Sequence, residues 1–240
     1  MSVTQPPSAV EETGERIVLC IDVHDEMDDV LLPAPSIDAC TRMALTKRLL
    51  KMFVATKLRL ATTTVAGGDS ESTASGPQFA LCLLKERAEW LMDFSADCDL
   101  LFAVIDELTI TGHYQDLDVR TLFMTVEQNA VRLRARSPRV ICIYGRSDVV
   151  PSGITDVMVT HGTNPRLTLD LIFLHRRKSS EIDPQKVYDL WTTLESTKAP
   201  GYFFEVNKSS RRYLQAMVKL LANANVRPKQ ENCDFRFVSP

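Results

Sequence analysis

No Cys-x-x-Cys pair occurs among the six cysteines of this 240-residue chain, at positions 20, 40, 82, 98, 142 and 233. Without paired ligands a zinc-finger reading fails, and a chain of this length buries enough surface to need no disulfide framework. A reducing compartment is therefore expected. Neither sign of charge is in excess: 28 basic residues face 31 acidic ones, for a net charge of −3. Phosphate binding needs a basic face, so nucleic acid is not expected as a direct partner. No stretch approaches the roughly 20 apolar residues of a membrane span, so no membrane partner is expected either. The phosphate-binding and nucleophile-elbow glycine motifs are missing, and with them the cofactors they would hold. Nucleophilic catalysis needs a Cys or Ser beside a His. Of the histidines at 24, 113, 161 and 175, only His24 and His161 fall where loops or strand ends are expected. No catalytic residue is nominated.

What the chain does have is alternation of apolar runs and helical patterns. Residues 1–14 are polar and Pro-containing and read as a loose leader, not a secretory signal. Ile17 to Ile21 is a continuous apolar run ending at Asp22, as suits a strand covered on both faces. Ser36 or Asp38 is placed to cap a helix whose buried face reads Leu45, Leu49, Met52 and Phe53, ending near Leu60. Residues 61–77 are small, polar and Gly-rich and read as a flexible insertion. Phe79–Leu84 and Ala88–Met92 are close enough for a hairpin, which gives one antiparallel edge. Helices are expected over 98–108 and 122–133, and a strand over Val140–Tyr144. The region 145–166 shows only turn chemistry. A strand over 169–174, a helix opened by Asp183-Pro184, a strand over 201–206 and a helix capped by Ser209 follow. The expectation is an α/β fold: a doubly wound, mostly parallel sheet with helices on both faces, over residues 15–223. Cys20, Cys82 and Cys142 lie within apolar runs and read as buried small hydrophobes.

In such sheets ligands bind past the carboxyl ends of strands. Asp22, His24, Asp25 and Glu26 follow the first strand; they could hold a metal with help from other loops, or form a solvated acidic loop. A haloacid-type phosphatase would want Asp where His24 stands. Arg146 follows the strand at 140–144 and either pairs with Asp22 bidentately, in place of a metal, or points into solvent. The basic runs 175–178 and 208–212 read as solvated faces, or one of them as a contact patch. Beyond 224, Arg227-Pro228 opens a segment in which Phe235 and Phe237 alternate with charged residues. That pattern suits either docking on a partner or folding back on the domain.

The ordered set of a strand ending at Asp22, the helix with Lys51 to Lys57, Phe79-Ala80-Leu81, Trp90-Leu91, Arg139–Tyr144, Asp170–His175, Tyr202–Val206 and Ala216–Ala222 with Arg227-Pro228 resembles a known family. It is similar to the von Willebrand A-like adaptor subunits of the BRISC deubiquitinase and the related breast-cancer-A complex. The resemblance spans residues 15 to about 230; the 61–77 insertion and short leader depart from the better-known vertebrate pattern. It implies a non-enzymatic scaffold that binds a ubiquitin-conjugating-enzyme-like subunit. That subunit links it to a metalloprotease-type deubiquitinase, specific for lysine-63-linked ubiquitin, and its pseudo-enzyme companion, in nucleus and cytoplasm. Metal-binding von Willebrand A domains carry Asp-x-Ser-x-Ser after the first strand and a further Asp after a later one. Here Asp22 matches the first position, His24 and Glu26 replace the serines, and Arg146 replaces the later Asp, which implies a lost metal site. The resemblance also implies a docking segment after the last helix, with Arg227, Pro228, Phe235 and Phe237 at the partner interface.

Overall fold

The computed structural model describes residues 14–32, 40–65, 76–135, 137–163 and 165–233. The strands are β1 (Arg16–Asp22), β2 (Val30–Leu32), β3 (Cys40–Thr41), β4 (Gln78–Leu84), β5 (Ala88–Ser95), β6 (Arg139–Tyr144), β7 (Thr168–His175) and β8 (Phe203–Asn207). The helices are α1 (Arg42–Val65), α2 (Cys98–Glu107), α3 (Val119–Arg132), α4 (Ile154–Thr163), α5 (Pro184–Thr192) and α6 (Ser210–Lys219). Six strands form the main sheet in the order β5-β4-β1-β6-β7-β8, and β2 pairs with β3 beside it. Every main-sheet pairing is parallel except β4 with β5, so the expected antiparallel edge is there.

The unbroken apolar run in β1 follows from its central place. Successive side chains point to opposite faces, so a strand covered on both faces has no polar position to spare. Ile17, Leu19 and Ile21 enter one core with α1, α2 and α6, while Val18 and Cys20 enter the other with α3, α4 and α5. Cys20 lies opposite Cys82 of β4 and Cys142 of β6, a row of three buried free thiols across adjacent strands.

Four expectations need correction. First, α1 starts at Arg42 and continues to Val65, into the segment read as insertion, and Thr41 caps it, its Oγ1 accepting the Ala44 N–H at 3.2 Å. Ser36, Asp38 and residues 66–75 lie outside the described residues. Second, 145–166 contains α4; only Ile154, Val157 and His161 of it are described as buried, too few to make an apolar stripe. Third, Asp183 precedes α5 but makes no side-chain cap; its carboxylate pairs with Lys178 at 3.0 Å. Fourth, β8 begins at Phe203. Gly201 precedes it in a passage where an added Cβ would lie 1.7 Å from the Leu169 carbonyl oxygen, so only glycine fits without backbone movement.

Candidate functional site

The chain leaves β1 towards β4 on one side and later builds β6 on the other, so the winding changes direction between β1 and β6. That switch point is where a doubly wound sheet opens a ligand crevice. Asp22 ends β1 there, and Gly145-Arg146-Ser147 follows β6.

The crevice is occupied by the chain's own ion pairs. Arg146 and Asp22 are both fully buried. The guanidinium Nε donates to both Asp22 oxygens at 3.1 Å and Nη2 donates to Oδ1 at 3.0 Å. The backbone N–H groups of Gly145 and His24 donate to the same carboxylate at 3.0 and 3.1 Å. Arg146 also donates to the carbonyls of Leu84, Lys85 and Asp116. Its guanidinium carbon lies over the rings of Tyr114 and Tyr144, 5.3 and 5.5 Å from their centroids. A guanidinium cannot ligate a cation, and it holds the oxygens a cation would need. Gly145 permits the close approach of this loop, because an added Cβ would lie 2.3 Å from the Met27 sulfur.

A second layer closes the entrance. Buried Glu26 accepts from the Ser147 N–H at 3.1 Å, from the Ser147 hydroxyl, and from Arg42 Nη1 at 3.4 Å. Arg42, buried at the start of α1, also donates to the Gly145 carbonyl at 3.1 Å and reaches Asp29 at 3.3 Å. Arg176, just past β7, forks onto Asp29 at 2.7 and 2.8 Å, and its N–H donates to the Ser147 hydroxyl at 2.7 Å. Burial works to raise the Asp29 carboxyl, but the Arg176 hydrogen bonds and the Arg42 charge outweigh it and hold the carboxyl below its ordinary range. Three carboxylates thus face three guanidiniums. The Asp-x-Ser-x-Ser type of metal site does not fit these residues, and neither does a solvated acidic loop, since Asp22, His24 and Glu26 are all buried.

Of the sequence-nominated residues, Asp22, His24, Glu26 and Arg146 come together here. Arg42, Asp29, Ser147 and Arg176 were missed, and the reading of 175–178 as a solvated run is corrected for His175, which is buried, and for Arg176, which is tied to Asp29 while partly exposed. His113 also belongs at this rim, which sequence reasoning did not give it: its loop is pinned to the residues after β1 by Thr111 N–H to Val23 O and Asp25 N–H to Gly112 O, both 3.0 Å. His161, expected in a loop, is a buried residue of α4 against Phe123.

Arg227 lies at the opposite end of the sheet. Its guanidinium is buried on Asp170 in β7, with Nη1 3.1 Å from Oδ2. Arg139 donates to the same carboxylate at 2.7 Å and to Glu15 at 3.0 Å, and Lys57 pairs with Glu15. The segment after α6 is held further by Tyr202 Oη donating to the Pro228 carbonyl at 2.6 Å. The Gln230 carboxamide accepts from the Phe203 N–H at 2.7 Å and donates to the Phe203 carbonyl at 2.9 Å, pairing with the open edge of β8 as a strand would. Arg227, expected at the partner interface, is held inside the domain as an anchor on Asp170, and Pro228 is exposed. Phe235 and Phe237 lie outside the described residues.

The topology and the crevice define a von Willebrand A fold. The VWA domain of SpRpn10 superposes with a TM-score of 0.54 at 13% identity, covering 87% of this chain and 95% of that one. The vWF domain of the type V pili tip protein Mfa5 from Porphyromonas gingivalis gives 0.57 at 11% identity, covering 88% and 94%. Among curated proteins the chain is similar to "BRISC and BRCA1-A complex member 1" of Mus musculus and of Rattus norvegicus, at 21% identity over 235 residues in each case. The match covers 92% of this chain and 66% of each relative, so the chain spans just under two thirds of their length. No family model matches the chain. The relatives bear out the resemblance to von Willebrand A-like subunits of these complexes. Among the described residues, no helix is long and apolar enough to cross a membrane.

Proposed function

We propose that the chain is a non-catalytic adaptor subunit of a deubiquitinase complex of the BRISC and BRCA1-A type, working in cytoplasm and nucleus. The observation that carries this reading is the crevice: the position where a von Willebrand A domain would take a cation and ligand is filled by buried Asp22–Arg146 and Glu26–Arg42 pairs. Similarity along 92% of the chain to a named member of those complexes supports the same reading. In it, the chain binds the ubiquitin-conjugating-enzyme-like scaffold subunit, which connects it to the metalloprotease-type deubiquitinase and its pseudo-enzyme companion, acting on lysine-63-linked ubiquitin. Pro228, Phe235 and Phe237 contribute contacts to that partner, while Arg227 fixes where the docking segment leaves the domain.

The test is affinity purification of the tagged full chain beside a version ending at Cys233, with partners identified by mass spectrometry. Ending at Cys233 keeps Arg227 on Asp170 and so spares the domain. Recovery of deubiquitinase subunits with the full chain and their loss from the shortened one is expected. Equal recovery would move the interface onto the domain, and no recovery with either would reduce the similarity to one of fold.

A further inference from the structure

Beside the buried ion pairs, one set of rim side chains brings metal-ligating atoms together. His24, Asp25 and His113 offer ligand atoms that all lie within 4.8 Å of one another. The Asp25 carboxylate stands between two imidazoles, Oδ1 2.9 Å from Nδ1 of His24 and Oδ2 3.0 Å from Nδ1 of His113. The ring centroids of the two histidines are 4.9 Å apart.

His24 is the constrained member. It is buried, its Nδ1 is 3.1 Å from the Glu26 N–H, and its Nε2 has no partner. Neither neutral tautomer suits these neighbours. With the proton on Nε2, that N–H is unpaired in the interior and the Nδ1 lone pair faces Asp25 Oδ1 at 2.9 Å, two electron-rich atoms with nothing positive between them. With the proton on Nδ1, the Glu26 N–H loses its acceptor and a bare lone pair is buried at Nε2. A doubly protonated ring would pair with Asp25 but leave both the Glu26 N–H and the buried Nε2 proton without an acceptor. A divalent cation on Nδ1 would place positive charge between His24 and the Asp25 carboxylate, at the cost of the Glu26 amide contact and with the proton left on Nε2.

We propose that His24, Asp25 and His113 form a binding site for a divalent transition cation of the zinc class, outside the closed Asp22–Arg146 crevice. Two imidazoles and one carboxylate suit zinc or cobalt, whereas magnesium and calcium prefer all-oxygen sites. The site takes His24 from the first serine position of Asp-x-Ser-x-Ser but not Asp22, whose carboxylate Arg146 holds. His113 and Asp25 are 62% and 51% exposed, which gives the ion a path in and leaves a coordination position for water.

The experiment uses the full chain without a polyhistidine tag, stripped of metal. Zinc is titrated calorimetrically, and cobalt is followed by visible absorption, whose d–d bands report ligation in solution. One equivalent of zinc, a cobalt spectrum displaced by zinc, and no heat with magnesium are expected. His113→Ala and Asp25→Asn should each weaken zinc binding by at least about tenfold, as loss of a ligand does more than the ~10–100-fold loss of an outer-shell partner. Both residues are exposed, so the variants should melt with the parent. Zinc binding that is unchanged in the His113→Ala, Asp25→Asn double variant would assign the heat to adventitious surface groups and overturn the proposal. So would a cobalt spectrum identical to that of the free aqueous ion.

Discussion

Replacing Arg146 with alanine tests the central reading most directly, because it strands a carboxylate where solvent does not reach. Asp22 would keep two backbone donors, Gly145 and His24, but lose all three of its guanidinium contacts. Breaking a buried pair by removing one partner costs about 3–5 kcal/mol, since the remaining charge is left uncompensated. The carbonyls of Leu84, Lys85 and Asp116 would lose a donor as well, which places the expected loss at the upper end. For a chain of this size that corresponds to a fall of about 6–20 °C in Tm. Urea unfolding followed by the fluorescence of buried Trp191 would measure it. The double variant Asp22→Asn, Arg146→Met should recover part of the loss, giving a positive coupling in a double-mutant cycle. An Arg146→Ala variant less than about 1 kcal/mol below the parent would refute the reasoning, because an exposed pair contributes no more than that.

Arg227→Ala should destabilise the domain by about 1.5–3 kcal/mol by leaving Asp170 to Arg139 and the Tyr202 amide, measured by the same urea titration. Gly201→Ala should be far more harmful than Gly145→Ala, because the first collides with the Leu169 backbone and the second with the flexible Met27 side chain. Met27→Ala should rescue Gly145→Ala, and no substitution at Leu169 should rescue the other. Stability should fall on acidification through about pH 6.5, the ordinary histidine value. Burial lowers both His24 and His161 in the fold, so the unfolded chain binds the extra protons first. Urea midpoints between pH 5 and 8 would show this slope, and His161→Asn should flatten it. A separate loss below about pH 4 is expected from Asp29, whose lowered carboxyl must be protonated as the pH drops through its folded value, and Asp29→Asn should remove it.

The sheet was legible because its central strands are buried on both faces and so appear as unbroken apolar runs, with Asp22 and Arg146 one step past two of them. The same strand-end rule also nominates Arg176, the residue after His175, which a reading of 175–178 by charge alone passed over. Arg42 was not legible. It pairs across 103 residues with the Gly145 carbonyl, and only the packing of α1 beside the crevice creates that neighbourhood. Asp170 was a signal left unused, since a carboxylate inside an apolar strand demands a buried cation, and Arg139 and Arg227 supply it. His113 sits in a loop without periodicity, where residue type alone cannot say what lies opposite.

The row of Cys20, Cys82 and Cys142 gives the molecule an internal chemical clock. Burial pushes the thiols of Cys20 and Cys142 well up, so neither presents the thiolate that alkylating reagents attack. Labelling there therefore waits for strands β4, β1 and β6 to separate, whereas partly exposed Cys98 and Cys233 react from the folded state. Because the three sulfurs sit side by side on adjoining strands, their modification should arrive together, as a single irreversible record that the middle of the sheet has opened.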